Sequence, residues 1–157
     1  MHKEITIKYL YFEDYNSLEK EDVALIQKAN ATSLDAYAPY SNFQVGVSIL
    51  LANNKVVLGN NQENIAFPSG LCAERVALFY ANANYKEKVK TIVIVSKGDL
   101  IPDNQVISPC GSCRQVILES EKRQGTPIKI VLVSQNKSVY VFNSILDLLP
   151  FGFGINE

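Results

Sequence analysis

Three cysteines mark the places in this chain where chemistry could be done. Cys72 is followed at once by Ala73, Glu74 and Arg75, and the other two lie in Pro109-Cys110-Gly111-Ser112-Cys113. A CxxC pair, with a third thiolate beside a carboxylate and a guanidinium, is the donor set of a metal site. Zinc takes four protein ligands in structural sites but three plus an open position in catalytic ones. One chain with three cysteines cannot build a four-cysteine site, and its only histidine is His2, in the N-terminal stretch. The set Cys72, Cys110 and Cys113 therefore reads as an open, hydrolytic zinc site, one ion per chain. Such a site acidifies a bound water toward a pKa of ~7. Three thiolates leave the centre net negative, and Arg75 can withdraw charge by donating hydrogen bonds to sulfur. Glu74 is within reach of the same water and can carry its proton.

Plainer readings of the same residues stand beside this one. CxxC can be a redox pair, although a redox pair has no use for Cys72-Ala73-Glu74. A structural zinc completed by a further ligand, or cysteines buried only for packing, account for the thiols alone. Glu74 alone would pass as an acid at a helix start, and Arg75 as a surface residue. Their joint placement beside a cysteine favours the catalytic reading.

The cysteines need elements to bring them together. Pro109 lies near the start of a helix predicted over about Cys110–Glu121, and another is predicted over Leu71–Asn82. Helix N-termini favour thiolates over thiols. Before them, Val23, Ile26, Ala29, Ser33 and Tyr37 recur at helical spacing, with Asn16 or Ser17 as cap, Glu19 closing a capping box and Pro39 as stop. Strands are predicted at Glu4–Leu10, as a half-buried alternating arm, and at Phe43–Leu51 and Lys55–Gly59, as a hairpin. Others are predicted at Lys90–Ser96, an unbroken apolar run buried on both faces, and at Ile128–Ser134 and Ser138–Phe142. A short helix at Ile145–Leu149 closes the series. Helices inserted between strands indicate an α/β fold with a mixed sheet. Residues 1–15 read as an arm and 16–157 as one domain.

Composition is that of an ordinary globular protein, with 47% hydrophobic and 20% charged residues and a formal net charge of -1. No block of Lys or Arg suggests a nucleic-acid surface, and no apolar run reaches membrane-spanning length. The N-terminal stretch alternates and lacks the apolar core of a signal peptide. The expected location is the cytoplasm, where three cysteines serve thiolate chemistry rather than disulfides.

Cys72-Ala73-Glu74-Arg75 followed by Pro109-Cys110-Gly111-Ser112-Cys113-Arg114-Gln115-Val116 resembles the zinc-dependent cytidine deaminases of the small homotetrameric, three-cysteine type. The resemblance runs in order through Tyr37-Ala38-Pro39-Tyr40-Ser41-Asn42-Phe43-Gln44-Val45-Gly46, Asn61-Gln62-Glu63-Asn64 and Leu148-Leu149-Pro150-Phe151-Gly152-Phe153. It implies a three-layer α-β-α fold with a roughly five-stranded mixed sheet. It also implies zinc-dependent deamination of cytidine and 2'-deoxycytidine in pyrimidine salvage. Carried over residue by residue, Asn61 and Glu63 would bond the ribose, and Phe43 would stack on the pyrimidine. Ala73 would leave room for the substrate, and Phe67 and Phe153 would close the pocket of a neighbouring subunit in a homotetramer. Each also has a plain reading as a turn, loop or packing residue. Phe67 stands where the family often has Tyr, Gln62 and Ile65 replace the commoner Val and Ala, and the arm exceeds the family's core length. Two alternatives remain: a deaminase of another aminopyrimidine nucleoside, such as a cytosine-containing antibiotic, or a non-catalytic zinc-binding module on the same fold.

Overall fold

The run Thr91-Ile92-Val93-Ile94-Val95-Ser96 is buried throughout, because both faces of its strand are covered. In the computed structural model, which describes residues 1–154, period-two alternation splits this run between two cores. Val93 and Val95 pack with Leu25, Ile26 and Ala29 of one helix. Ile92 and Ile94 pack on the other side with Ala77, Leu78, Ile117 and Leu118, from two further helices. The result is the expected three-layer α-β-α arrangement.

The elements in chain order are β1 (Leu10–Phe12), α1 (Lys20–Ser33), β2 (Gln44–Leu51), β3 (Val56–Asn60), α2 (Ala73–Asn84), β4 (Val89–Lys97), α3 (Gly111–Gln124), β5 (Lys129–Val133) and β6 (Val139–Phe142). Short 3-10 turns lie at Tyr15–Ser17, Phe67–Ser69 and Ile145–Asp147. The sheet order is β1-β6-β5-β4-β2-β3. Only β4 and β5 run parallel, joined by the crossover helix α3; the other pairs are antiparallel. Among the described residues the sheet has six strands rather than about five, with the arm strand β1 at one edge.

That strand lies further along than Glu4–Leu10. Leu10 pairs with Val141 and Phe12 with Val139. β6 ends at Phe142, so it offers no partner to residues before Tyr9. Ile5 and Ile7 therefore stay exposed, while the Tyr9 ring sits 5.6 Å from Tyr140 and 5.7 Å from Phe142.

The start of α1 also differs from expectation. Asn16 and Ser17 fall inside a 3-10 turn capped by Asp14, whose carboxylate accepts from the Asn16 N–H. α1 then begins at Lys20, with Glu19 at the cap position making no side-chain bond. It ends at Ser33, well before Pro39, because the next residues are drawn off sideways: the Tyr37 N–H bonds Asn61 O, and Tyr37 O accepts from the Glu63 N–H. Tertiary pairing overrides the proline stop. Ile145–Leu149 is likewise only a 3-10 turn over Ile145–Asp147, capped by Ser144.

Two glycines set the layer spacing. A Cβ on Gly46 would lie 2.0 Å from Ala29 O, and one on Gly59 would lie 2.7 Å from Ala77 N. Without them, α1 could not settle on β2, nor α2 on β3.

Candidate metal centre and adjoining cavity

α2 packs on β3 and β2, and α3, which follows the loop after β4, packs beside α2, so that the two helix N-termini meet. Cys72 is the N-cap of α2 and Cys110 the N-cap of α3, each extended (ψ 150° and 164°), and neither thiol makes a capping bond to a backbone N–H of its helix. Their sulfurs therefore project past the helix ends, where partial positive charge favours thiolates. Cys113, one turn into α3, completes the group. Sγ of Cys72 lies 3.9 Å from Sγ of Cys110, Cys110 lies 3.5 Å from Cys113, and all three sulfurs fall within 4.8 Å of one another. Tetrahedral zinc with bonds of about 2.3 Å spaces its sulfurs by about 3.8 Å. The three cysteines fit a zinc ion.

The electrostatics agree with that use. The Cys72 thiol is pulled down to about 5, chiefly by a hydrogen bond from Cys113 and also by Arg75, whose Nη2 lies 3.8 Å from Cys72 Sγ. Cys113, as the donor to that thiolate, is pushed up. Among the described residues the buried Arg75 Nε has no hydrogen-bond partner, and the guanidinium meets this corner through its Nη2 group. Glu74 is only 6% exposed, and its burial pushes its carboxyl up to about 7. A carboxyl in that range can hold and release a proton near neutral pH.

A cavity of about 700 Å³ opens from this corner. Cys72 and Arg75 stand at one end, and Tyr40, Ser41, Asn61 and Glu63 line it further out, with Gln62, Ile65 and Phe67 in its wall. Glu63 is anchored in place. It accepts from the Tyr40 N–H (3.0 Å), the Ser41 N–H (3.3 Å) and the Ser41 hydroxyl. The Ser41 hydroxyl, above all, holds its carboxyl below the usual value. Asn61 spans two chain segments: its Oδ1 accepts from the Val45 N–H (2.7 Å) and its Nδ2 donates to Phe43 O (2.9 Å). Glu63 keeps one further acceptor direction, and Asn61 keeps one donor and one acceptor direction.

Cys72, Cys110, Cys113, Glu74 and Arg75 are thus gathered in one corner, with Ala73 fully buried beneath it. Asn61 and Glu63 share the adjoining cavity. Phe43 is 5% exposed and sits behind Asn61 rather than on the cavity wall. Phe67 borders the cavity of its own chain and is 89% exposed; Phe153 does not border it and is 88% exposed.

The sequence matches the family described as "Cytidine and deoxycytidylate deaminase zinc-binding region" over residues 19–127. The chain belongs to this family. The cytidine deaminase of Halalkalibacterium halodurans is 39% identical over 95 residues, 60% of this chain and 68% of that protein. That of Mycoplasma genitalium is 36% identical over 118 residues, 75% and 84% of the two chains. The crystal structure of cytidine deaminase from Burkholderia pseudomallei superposes with a TM-score of 0.73 at 39% identity, covering 83% of this chain and 98% of that one. Zinc is the metal this family binds, and the three-cysteine group of this deaminase-family chain is the place for it.

Sequence reasoning missed three side chains that organise the site. Ser41 bonds Glu63 and also accepts from the Phe43 N–H (3.0 Å). Arg114 donates to Pro109 O (2.8 Å), the Ser108 hydroxyl (2.8 Å) and Leu148 O (2.7 Å). Gln115 bonds the backbone of Phe153 twice. Ser41, Arg114 and Gln115 lie within the family motifs, but residue type alone does not reveal a partner tens of positions away.

Proposed function

We propose that this chain hydrolyses cytidine and 2'-deoxycytidine to uridine and 2'-deoxyuridine, releasing ammonia, with one zinc ion held by Cys72, Cys110 and Cys113. The observation that carries the reading is Glu74: a buried carboxyl poised near neutrality, beside the thiols but outside the ligand set. Zinc in this position polarises water and supplies a nucleophile at neutral pH. Glu74 takes a proton from the attacking water and delivers it to N3 of the pyrimidine, then serves the departing amine in the same way. A purely structural zinc site has no use for a buried, proton-holding carboxyl at this distance from a ligand.

The remaining contacts follow the cavity. Asn61 and Glu63 receive the ribose with the bonding directions they retain. Phe43 lies behind the cavity wall and backs Asn61 rather than facing the base, Ala73 leaves space beside the ring, and Arg75 offsets thiolate charge. Gln62, Ile65 and Phe67 give this wall its own shape, and they would decide whether other aminopyrimidine nucleosides are accepted.

The working form is a homotetramer with shared sites. Ile65, Phe67, Phe151 and Phe153 are each at least 86% exposed on the single chain, and contact with neighbouring copies would bury them. Sedimentation giving a stable monomer contradicts this. No described helix is long and apolar enough to cross a membrane. A cytoplasmic location is supported by three free cysteines, which a reducing compartment preserves.

The decisive experiment is Glu74→Gln. Zinc per chain stays unchanged, while initial rates on cytidine, followed by ultraviolet absorbance, fall by at least ~10³-fold. Undiminished turnover removes the proton carrier. Zinc-loaded wild type without turnover of any cytosine nucleoside removes the enzyme reading.

A further inference from the structure

Immediately after the ligand Cys113, α3 carries two side chains that hold the returning C-terminal segment. Arg114 donates to Leu148 O at 2.7 Å, where that segment begins. Gln115 pairs with Phe153 as a second strand would: its Nε2 donates to Phe153 O (2.7 Å) and its Oε1 accepts from the Phe153 N–H (3.0 Å). Between these points Gly152 lies so close to the helix that a Cβ there would come 2.0 Å from Leu118 Cδ2. Gln115 and Leu118 are three residues apart and share a helix face. The segment is therefore strapped along α3, beginning at the turn that bears Cys113. Yet the Phe153 ring is 88% exposed, so the strap holds the backbone and leaves the aromatic group projecting.

We propose that Gln115 is a positioning residue for nucleoside binding: its amide fixes the Phe153 backbone to the cysteine-bearing helix, and so fixes where the Phe153 ring stands in a shared active site. The inference rests on the deaminase reading for its kinetic consequence, but not for the strap itself. A glutamine amide suits the task because it offers one donor and one acceptor at peptide spacing. An exposed ring on an untethered segment would lose conformational entropy each time it closed over substrate; a pre-set ring does not.

The test uses zinc-loaded enzyme and three variants: Gln115→Leu, which keeps the bulk of the side chain but neither bonding group, Phe153→Ala, and the double variant. Two lost neutral hydrogen bonds predict about a tenfold rise in KM for cytidine in Gln115→Leu, with kcat changed far less and zinc per chain unaltered. Gln115→Leu and Phe153→Ala act through one ring, so the double variant should be no worse than Phe153→Ala alone. Wild-type KM in either single variant, or fully additive effects, overturns the proposal. A second readout needs no substrate. Hydrogen exchange with mass spectrometry should show the peptide containing Phe153 exchanging faster in Gln115→Leu than in wild type, with the Cys113 peptide unchanged. Equal exchange in both proteins overturns the strap even if the enzyme deaminates cytidine. A wild-type enzyme that turns over no nucleoside overturns the deaminase reading, even if the exchange difference is present.

Discussion

Ser41 holds Glu63 twice, through its backbone N–H at 3.3 Å and through its side-chain hydroxyl. The pair lies 22 positions apart, so one turn residue settles the orientation of a carboxylate contributed by a different segment. The same hydroxyl accepts from the Phe43 N–H, tying the lead-in to β2 to the cavity wall.

Ser41→Ala should therefore disturb binding more than chemistry. Losing this hydrogen bond to a charged group weakens nucleoside binding by ~1.5 kcal/mol, about tenfold in KM, with a smaller change in kcat. The pH dependence gives a sharper check. In the wild type the Ser41 hydroxyl keeps the Glu63 carboxyl below the ordinary value of 4.5, so its charged form persists into acid and is lost only as pH falls through the depressed pKa. Without Ser41 the acid limb of 1/KM should move to higher pH. An unmoved limb would separate Glu63 from substrate recognition.

Glu74 should make the metal-free protein less stable as pH rises. Its folded pKa, about 7, lies above the ordinary 4.5, so the folded state binds more protons than the unfolded state across that window. Stability from this group is then full below about 4.5, falls as pH rises toward 7, and is flat beyond. Metal-free Glu74→Gln lacks the titrating group. It should match the wild type near pH 4.5 and exceed it by up to ~3 kcal/mol at pH 8. Urea unfolding at the two pH values measures the difference, and a constant offset between the proteins would contradict the sign.

Arg75→Ala should lower zinc affinity by about 10- to 100-fold, as loss of a partner that bonds a ligand does. The Arg75 guanidinium stands against Cys72 Sγ and helps to hold that thiol at about 5. Competition with a chromophoric chelator reads the affinity directly. Unchanged zinc retention would leave Arg75 as a cavity-wall residue only.

Glu121 is the internal anchor on which the C-terminal turn depends. Its buried carboxylate accepts from the Ile128 N–H (2.9 Å), the Ile145 N–H (3.1 Å) and the Ser144 hydroxyl. Glu121→Ala orphans two buried N–H groups and should cost roughly 3 kcal/mol or more. Glu121→Gln keeps one acceptor oxygen and should cost about half as much. Equal chemical-denaturation midpoints for wild type and Glu121→Ala would show that water replaces the carboxylate.

Much of the site could be read from residue order, because its chemistry is carried by residues adjacent in the chain. Cys72 with Glu74, and Cys110 with Cys113, announce a thiolate centre with a carboxyl beside it before any fold is known. The layered architecture was also legible, since Thr91–Ser96 is too uniformly apolar to have an open face, and the alternation of helix and strand leaves few ways to cover it. What the chain order could not express was competition between local signals and distant partners. Asp14 took the Asn16 N–H and moved the start of α1; the bridge from Tyr37 to Asn61 and Glu63 ended that helix ahead of Pro39; and the four residues of β6 limited how much of the arm could pair. Tertiary structure alone decided that the two cysteine-bearing helices begin side by side, that Ser41 orients Glu63, and that Gln115 holds Phe153. Each of these depends on a hydrogen bond or a close approach between residues far apart in sequence, and local propensity carries no information about such partners.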